Sequence, residues 1–122
     1  MPRGFALPTD FTVDVTDEGG AFRLRCAGEL DMAAAPLVQD ALHALIEQRP
    51  REVMLDWTGL TFMDSSGIRI LFQTLALCRN KNIDLTWALG DTARKTLDRV
   101  GIHDALLRDY SAGTGSGPTY DG

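Results

Sequence analysis

The sequence predicts an α/β domain: a mixed sheet of about four strands packed by three to four helices, in the order β-β-α-β-α-β-α. Three observations carry this expectation. Two stretches near the start alternate apolar and polar residues with the period of a half-buried strand. Three later stretches repeat apolar residues at helical spacing. Short apolar runs separate those helical stretches, and such alternation implies parallel strands joined through helices.

Each element follows in chain order. Residues 1–10 look like a loose leader, with no apolar run long enough for a secretory signal. Phe11, Val13 and Val15 alternate with Thr12, Asp14 and Thr16, which predicts the first strand. The turn residues Asp17–Gly20 follow, and Phe22, Leu24 and Cys26 alternate with Arg23 and Arg25, so the first two strands read as a hairpin. "GELDMAAAP", from Gly28 to Pro36, breaks that pattern. Leu37, Val38, Ala41, Leu42, Leu45 and Ile46 then define one face of a helix. Pro36 is tolerable in its first turn, where the missing N–H has no intrahelical partner. "EVMLDW", Glu52 to Trp57, reads as a short central strand covered on both faces, and "TGLTFMD" as a connection. Ile68, Leu71, Phe72 and Leu75 predict a second helix from Ser65, closing near Arg79–Lys81. Ile83, Leu85, Trp87 and Leu89 predict another strand. Ala93, Leu97 and Val100 predict a third helix, stopped by Gly101. "IHDALLRDY" is a short terminal element, and residues 111–122 have the composition of a flexible tail.

The totals fit one ordinary domain over residues 11–110. The 122 residues are 44% hydrophobic and 24% charged. A formal net charge of −5 argues against nucleic acid or an anionic membrane surface as partner. No stretch approaches the ~20 uninterrupted apolar residues of a membrane span. Cys26 and Cys78 read as small buried hydrophobes, which suits a reducing cytoplasm. His43 and His103 stand alone, without a Cys or Glu at metal-ligand spacing, so neither a metal nor a cofactor is expected. Trp57 and Trp87 fall among core residues and read as packing. No catalytic constellation and no phosphate-cradling glycine loop is visible, so an enzyme is not expected.

One stretch stands out. "TFMDSSGIRI", Thr61 to Ile70, sets an acid and two hydroxyls between apolar runs. As a helix cap, Asp64, Ser65 and Ser66 would satisfy the unpaired N–H groups of the first turn. Two features exceed a cap. Gly67 sits in the first turn, where alanine is the better helix former by about 1 kcal/mol, and a glycine permits close approach by another group. Two consecutive hydroxyls are also more than one cap requires. The same helix end welcomes a phosphate, which adds about −1.5 to −2 charges. Capping and a phosphate switch both fit these residues.

"GELD" (Gly28–Asp31) together with "LDWTGLTFMDSSGI" (Leu55–Ile68) resembles the STAS domain of bacterial anti-sigma factor antagonists, over about Phe11 to Asp109. The resemblance implies a STAS-like single domain that binds an anti-sigma factor, itself an ATP-dependent serine kinase. The unmodified antagonist would capture that factor and free a sigma factor. Phosphorylation would fall on Ser65 and release the partner, and a PP2C-type phosphatase would restore the hydroxyl. Asp31 would lie near Ser65 and help form the partner surface, with Ser66 flanking the acceptor and Asp64 and Gly67 shaping the turn. Arg69 stands where many relatives carry a second glycine, and is expected to face solvent or an acidic partner. A STAS scaffold or accessory subunit of a signalling or transport complex, whose serines only cap, is the alternative.

Overall fold

The computed structural model describes residues 10–102. Most of the leader, His103 and the rest of the short terminal element after Ile102, and the tail lie outside these described residues. Seven elements occur in the expected order: β1 (Phe11–Asp17), β2 (Ala21–Leu30), α1 (Ala35–Glu47), β3 (Glu52–Met63), α2 (Ser65–Asn80), β4 (Asp84–Ala88) and α3 (Gly90–Arg99). The sheet order is β1-β2-β3-β4; β1 pairs antiparallel with β2, and the other two pairings are parallel. Successive parallel crossovers that step in one direction, each of the preferred hand, place their helices on the same face. Accordingly α1 and α2 are neighbours, and the Gln39 amide donates to the Gln73 side-chain carbonyl at 3.0 Å.

Between that helical layer and the sheet lies the core. Leu24, Cys26, Val53, Leu55, Trp57 and Leu85 point in from the strands, Val38, Leu42 and Leu45 from α1, and Ile70, Leu71, Leu75 and Cys78 from α2. Each such aliphatic side chain contributes about 1.5–3 kcal/mol on burial. The opposite sheet face is polar, and this corrects the expectation of a third strand covered on both faces. Glu52, Met54 and Asp56 are only half-buried, alternating with Val53, Leu55 and Trp57. Asp56 is held there by Arg23 (3.3 Å), by Arg25 (3.8 Å) and by the Thr58 hydroxyl (2.7 Å). Partial burial pushes the Asp56 carboxyl up, but the Thr58 hydroxyl and N–H and the two guanidiniums outweigh it and hold it below its usual range.

Two boundaries also differ. "TGLTFM" is no connection but the second half of β3, and "GEL" is the end of β2 rather than a break in it. The two segments pair with each other, with Gly28 opposite Leu60 and Leu30 opposite Met63, past register shifts at Arg25/Ala27 and Gly28/Glu29. Gly28 adopts φ +101°, and a Cβ there would collide with the Asp10 carbonyl. Since β4 reaches only as far as the Asp56–Ala88 pair, α3 takes its place beside this half of β3. The Thr96 hydroxyl donates to the Met63 carbonyl at 3.2 Å. Val100, expected on the buried side of α3, is 56% exposed just beyond the last helical residue.

Both cysteines are buried, and burial pushes each thiol up to about 12. A thiol that ionises near 9 when unfolded and near 12 when folded keeps its proton longer in the native state, so its stabilising contribution is complete below pH 9. Chemical denaturation should therefore show stability falling between pH 9 and 12. The loss should be about 1.4 kcal/mol per pH unit and thiol, and the slope should be shallower in Cys78→Ala.

Candidate functional site: the paired turns at the carboxyl end of the sheet

Because β2 and β3 run parallel, the turns that follow them emerge at the same edge of the sheet. The two turns are "LDMAA" after β2 and "MDSSG" after β3. They are joined directly: the Asp64 N–H donates to the Leu30 carbonyl at 3.2 Å, and Leu30 and Met63 are the last paired residues of their strands.

Asp31 shapes the first turn. Its carboxylate Oδ1 accepts from the N–H groups of Ala33 (3.1 Å) and Ala34 (2.9 Å), and its carbonyl accepts from Ala34 and Ala35. This is an Asx-type turn, in which a short acceptor side chain substitutes for a backbone carbonyl. It delivers the chain into α1 without a side-chain cap on Ala34. Asp64 shapes the second turn. It is the N-cap of α2, in extended conformation, with Oδ1 accepting the Ser66 N–H at 2.8 Å and its carbonyl accepting the Gly67 N–H at 3.0 Å. Capping is thus accomplished by Asp64, as its residue type allows.

The two serines differ. Ser66 is buried, while Ser65 is exposed, and among the described residues no hydrogen bond engages its hydroxyl. The cap therefore does not need Ser65. Arg69, one helical turn further on, is exposed as expected. Gly67 departs from expectation. It is buried, and its openness is used inside the fold: a Cβ would stand 2.5 Å from Met63 Cγ, 2.9 Å from Met63 Sδ and 3.2 Å from Leu30 Cδ2. Gly67 lets α2 settle onto the joined ends of β2 and β3, so it shapes the site from below and presents no backbone to a partner.

Sequence reasoning missed the apolar residues beside the motifs. Met32, next to Asp31, is 77% exposed, and Phe62, two residues before Asp64, is 47% exposed. Leu37, in the first turn of α1, is also exposed. Apolar periodicity assigns such residues to the core by default, and only the end position of their elements hinted otherwise. At the far ends of the helices lies a cleft of about 280 Å³ lined by His43, Ile46, Glu47, Arg49, Leu77 and Lys81. It is remote from both turns. Among the described residues no group of three or more His, Cys, Asp or Glu gathers as metal ligands, and no helix is long and apolar enough to cross a membrane.

A small mixed sheet covered by helices, with two acid-shaped turns at one edge and a free hydroxyl on one of them, characterises this domain of the α/β class. A STAS-domain model matches residues 12–112, and the chain belongs to the STAS-domain family. The anti-sigma-F factor antagonist RsfB of Mycobacterium tuberculosis is 28% identical over 98 residues, which span 80% of this chain and 76% of that protein. The anti-sigma-B factor antagonist of Staphylococcus aureus is 20% identical, spanning 80% of this chain and 91% of that protein. An anti-sigma factor antagonist from Mycobacterium paratuberculosis superposes with a TM-score of 0.65 at 24% identity, over 80% of this chain and 83% of its own. SpoIIAA in its unphosphorylated form gives 0.65 at 18% identity, over 91% and 89%. Structural likeness at these identities shows the fold.

Two substitutions check the geometry. Asp64→Ala should lower stability by about 1 kcal/mol through loss of the cap. Gly67→Ala should destabilise by about 1–3 kcal/mol despite its better helix propensity. A double-mutant cycle between Gly67→Ala and Met63→Ala should show strong coupling, and additivity would refute the contact.

Proposed function

We propose that the protein is an anti-sigma factor antagonist acting in the bacterial cytoplasm: a binding module, not an enzyme. Its unphosphorylated form captures an anti-sigma factor that is also an ATP-dependent serine kinase, and a sigma factor is thereby freed for transcription. The observation that carries this reading is the exposed hydroxyl of Ser65, unused by the fold, at the edge where both family motifs meet. Transfer of the γ-phosphoryl group of ATP to Ser65 Oγ, with ADP leaving and the hydroxyl proton passing to the kinase, would turn a neutral donor into a dianion beside Asp64. A partner surface fitted to the hydroxyl then meets repulsion and an unfavourable desolvation. A PP2C-type phosphatase resets the cycle by hydrolysing the ester.

The partner surface on this reading is built by Asp31, Asp64, Ser65 and Arg69 from above, with Ser66 and Gly67 fixing the turn beneath. Met32 and Phe62 supply apolar area for the same contact, since exposed large hydrophobes next to a polar centre suit an interface. The alternative of a STAS scaffold whose serines only cap fits less well, because Asp64 caps α2 and leaves Ser65 free.

Incubation with the anti-sigma factor kinase and ATP should add one phosphate, mapped by mass spectrometry to Ser65. Ser65→Asp should weaken capture of the kinase by about a hundredfold or more in calorimetry, a loss of about 2.7 kcal/mol or more. Ser65→Ala should bind as well as the unmodified protein and resist release by ATP. Full affinity in Ser65→Asp would refute the electrostatic account.

A further inference from the structure

Arg69 lies on α2 just beyond the turn that carries Ser65, and neither the core nor the cap uses it. It is exposed, and among the described residues it has no ion-pair partner. It follows Ser65 by four positions within one continuous helix, Ser65–Asn80. Residues so spaced stand one above the other on the same face. Helical Cα–Cβ bonds tilt toward the N-terminus, and long side chains lie back over the preceding turn. An arginine at position 69 therefore reaches toward residue 65 rather than away from it. The first turn of α2 carries no acidic residue to divert the guanidinium. Asp64 and Asp31 each turn Oδ1 onto backbone N–H groups, and neither forms an ion pair with Arg69.

We propose that Arg69 is the in-cis receptor for the phosphate on Ser65, pairing its guanidinium with the phosphate oxygens across one turn of α2. This inference rests on the reading that Ser65 is the phosphorylated residue. A planar guanidinium matches two phosphate oxygens at once. The consequence is regulatory: the modified state is held in an ordered form on the helix surface, and the phosphatase must displace Arg69 to reach the ester. Release of the partner then persists longer than it would with a bare phosphate.

The test separates this inference from the phosphorylation reading by installing phosphoserine at position 65 through genetic encoding, so that no kinase is needed. The second ionisation of the phosphate is followed by phosphorus NMR in the otherwise unchanged protein, in Arg69→Gln and in Arg69→Lys. An arginine that favours the dianion lowers this ionisation, so Arg69→Gln should raise it by about 0.15–0.4 pH unit, with Arg69→Lys between. The difference should shrink in 1 M salt, where exposed charges are screened over about 3 Å. Dephosphorylation of Arg69→Gln by a PP2C-type phosphatase should be faster by about 1.4- to 2.5-fold, the factor that the same pair interaction corresponds to. Superimposable titrations in the three proteins would overturn the inference, even if the kinase does modify Ser65. Failure of the kinase to modify Ser65, alongside separated titrations, would sink the phosphorylation cycle and leave the Arg69 geometry standing. The unphosphorylated Arg69→Gln protein should melt with the parent, which controls for folding.

Discussion

The parallel pairing of the end of β2 with the end of β3 is the contact on which everything else at this edge depends. It brings Leu30 opposite Met63 and lets the Asp64 N–H reach the Leu30 carbonyl. Without it, "GELD" and "DSSG" would be two unrelated turns some thirty residues apart in the chain. With it, they become one surface whose floor is a strand pair and whose roof is two helix starts. Parallel pairing costs a long crossover, and here the crossover is α1, which also covers the core.

Support for that pairing comes from three sides. Gly67 admits the Met63 and Leu30 side chains under the first turn of α2. Thr96 of α3 takes the Met63 carbonyl, a group that has no β4 neighbour to serve it. Gly28 bends under the Asp10 carbonyl with a backbone geometry that other residues adopt only under strain. Each of these residues is small or short. Bulk at any of them would press the strand ends apart and with them the two acids.

Element order was legible in the sequence because periodicity is local, and so was the capping role of Asp64, which acts over two residues. What escaped was set by distant partners. "TGLTFMD", Thr58–Asp64, reads as a connection because threonine and glycine punctuate it, yet β2 and α3 flank all but Asp64 and make it strand. Gly67 reads as an opening toward a visitor, because nothing in the linear order shows Met63 lying against it. Met32 and Phe62 were hidden for the reverse reason: pattern consigns apolar residues to the interior, and only the fold reveals them at its rim. The exposure of Ser65 beside a buried Ser66 was not separable by residue type at all.

At the other edge of the sheet the chain turns through Arg49 and Asn82, both in the left-handed region, at φ 54° and 56°. A non-glycine residue there forgoes about 1–2 kcal/mol that glycine would not, asparagine least of the rest. Some recoverable stability thus lies at the end that faces away from the motifs. Hardening the protein against heat and altering what it recognises are separable design problems, addressed at opposite poles of one small domain.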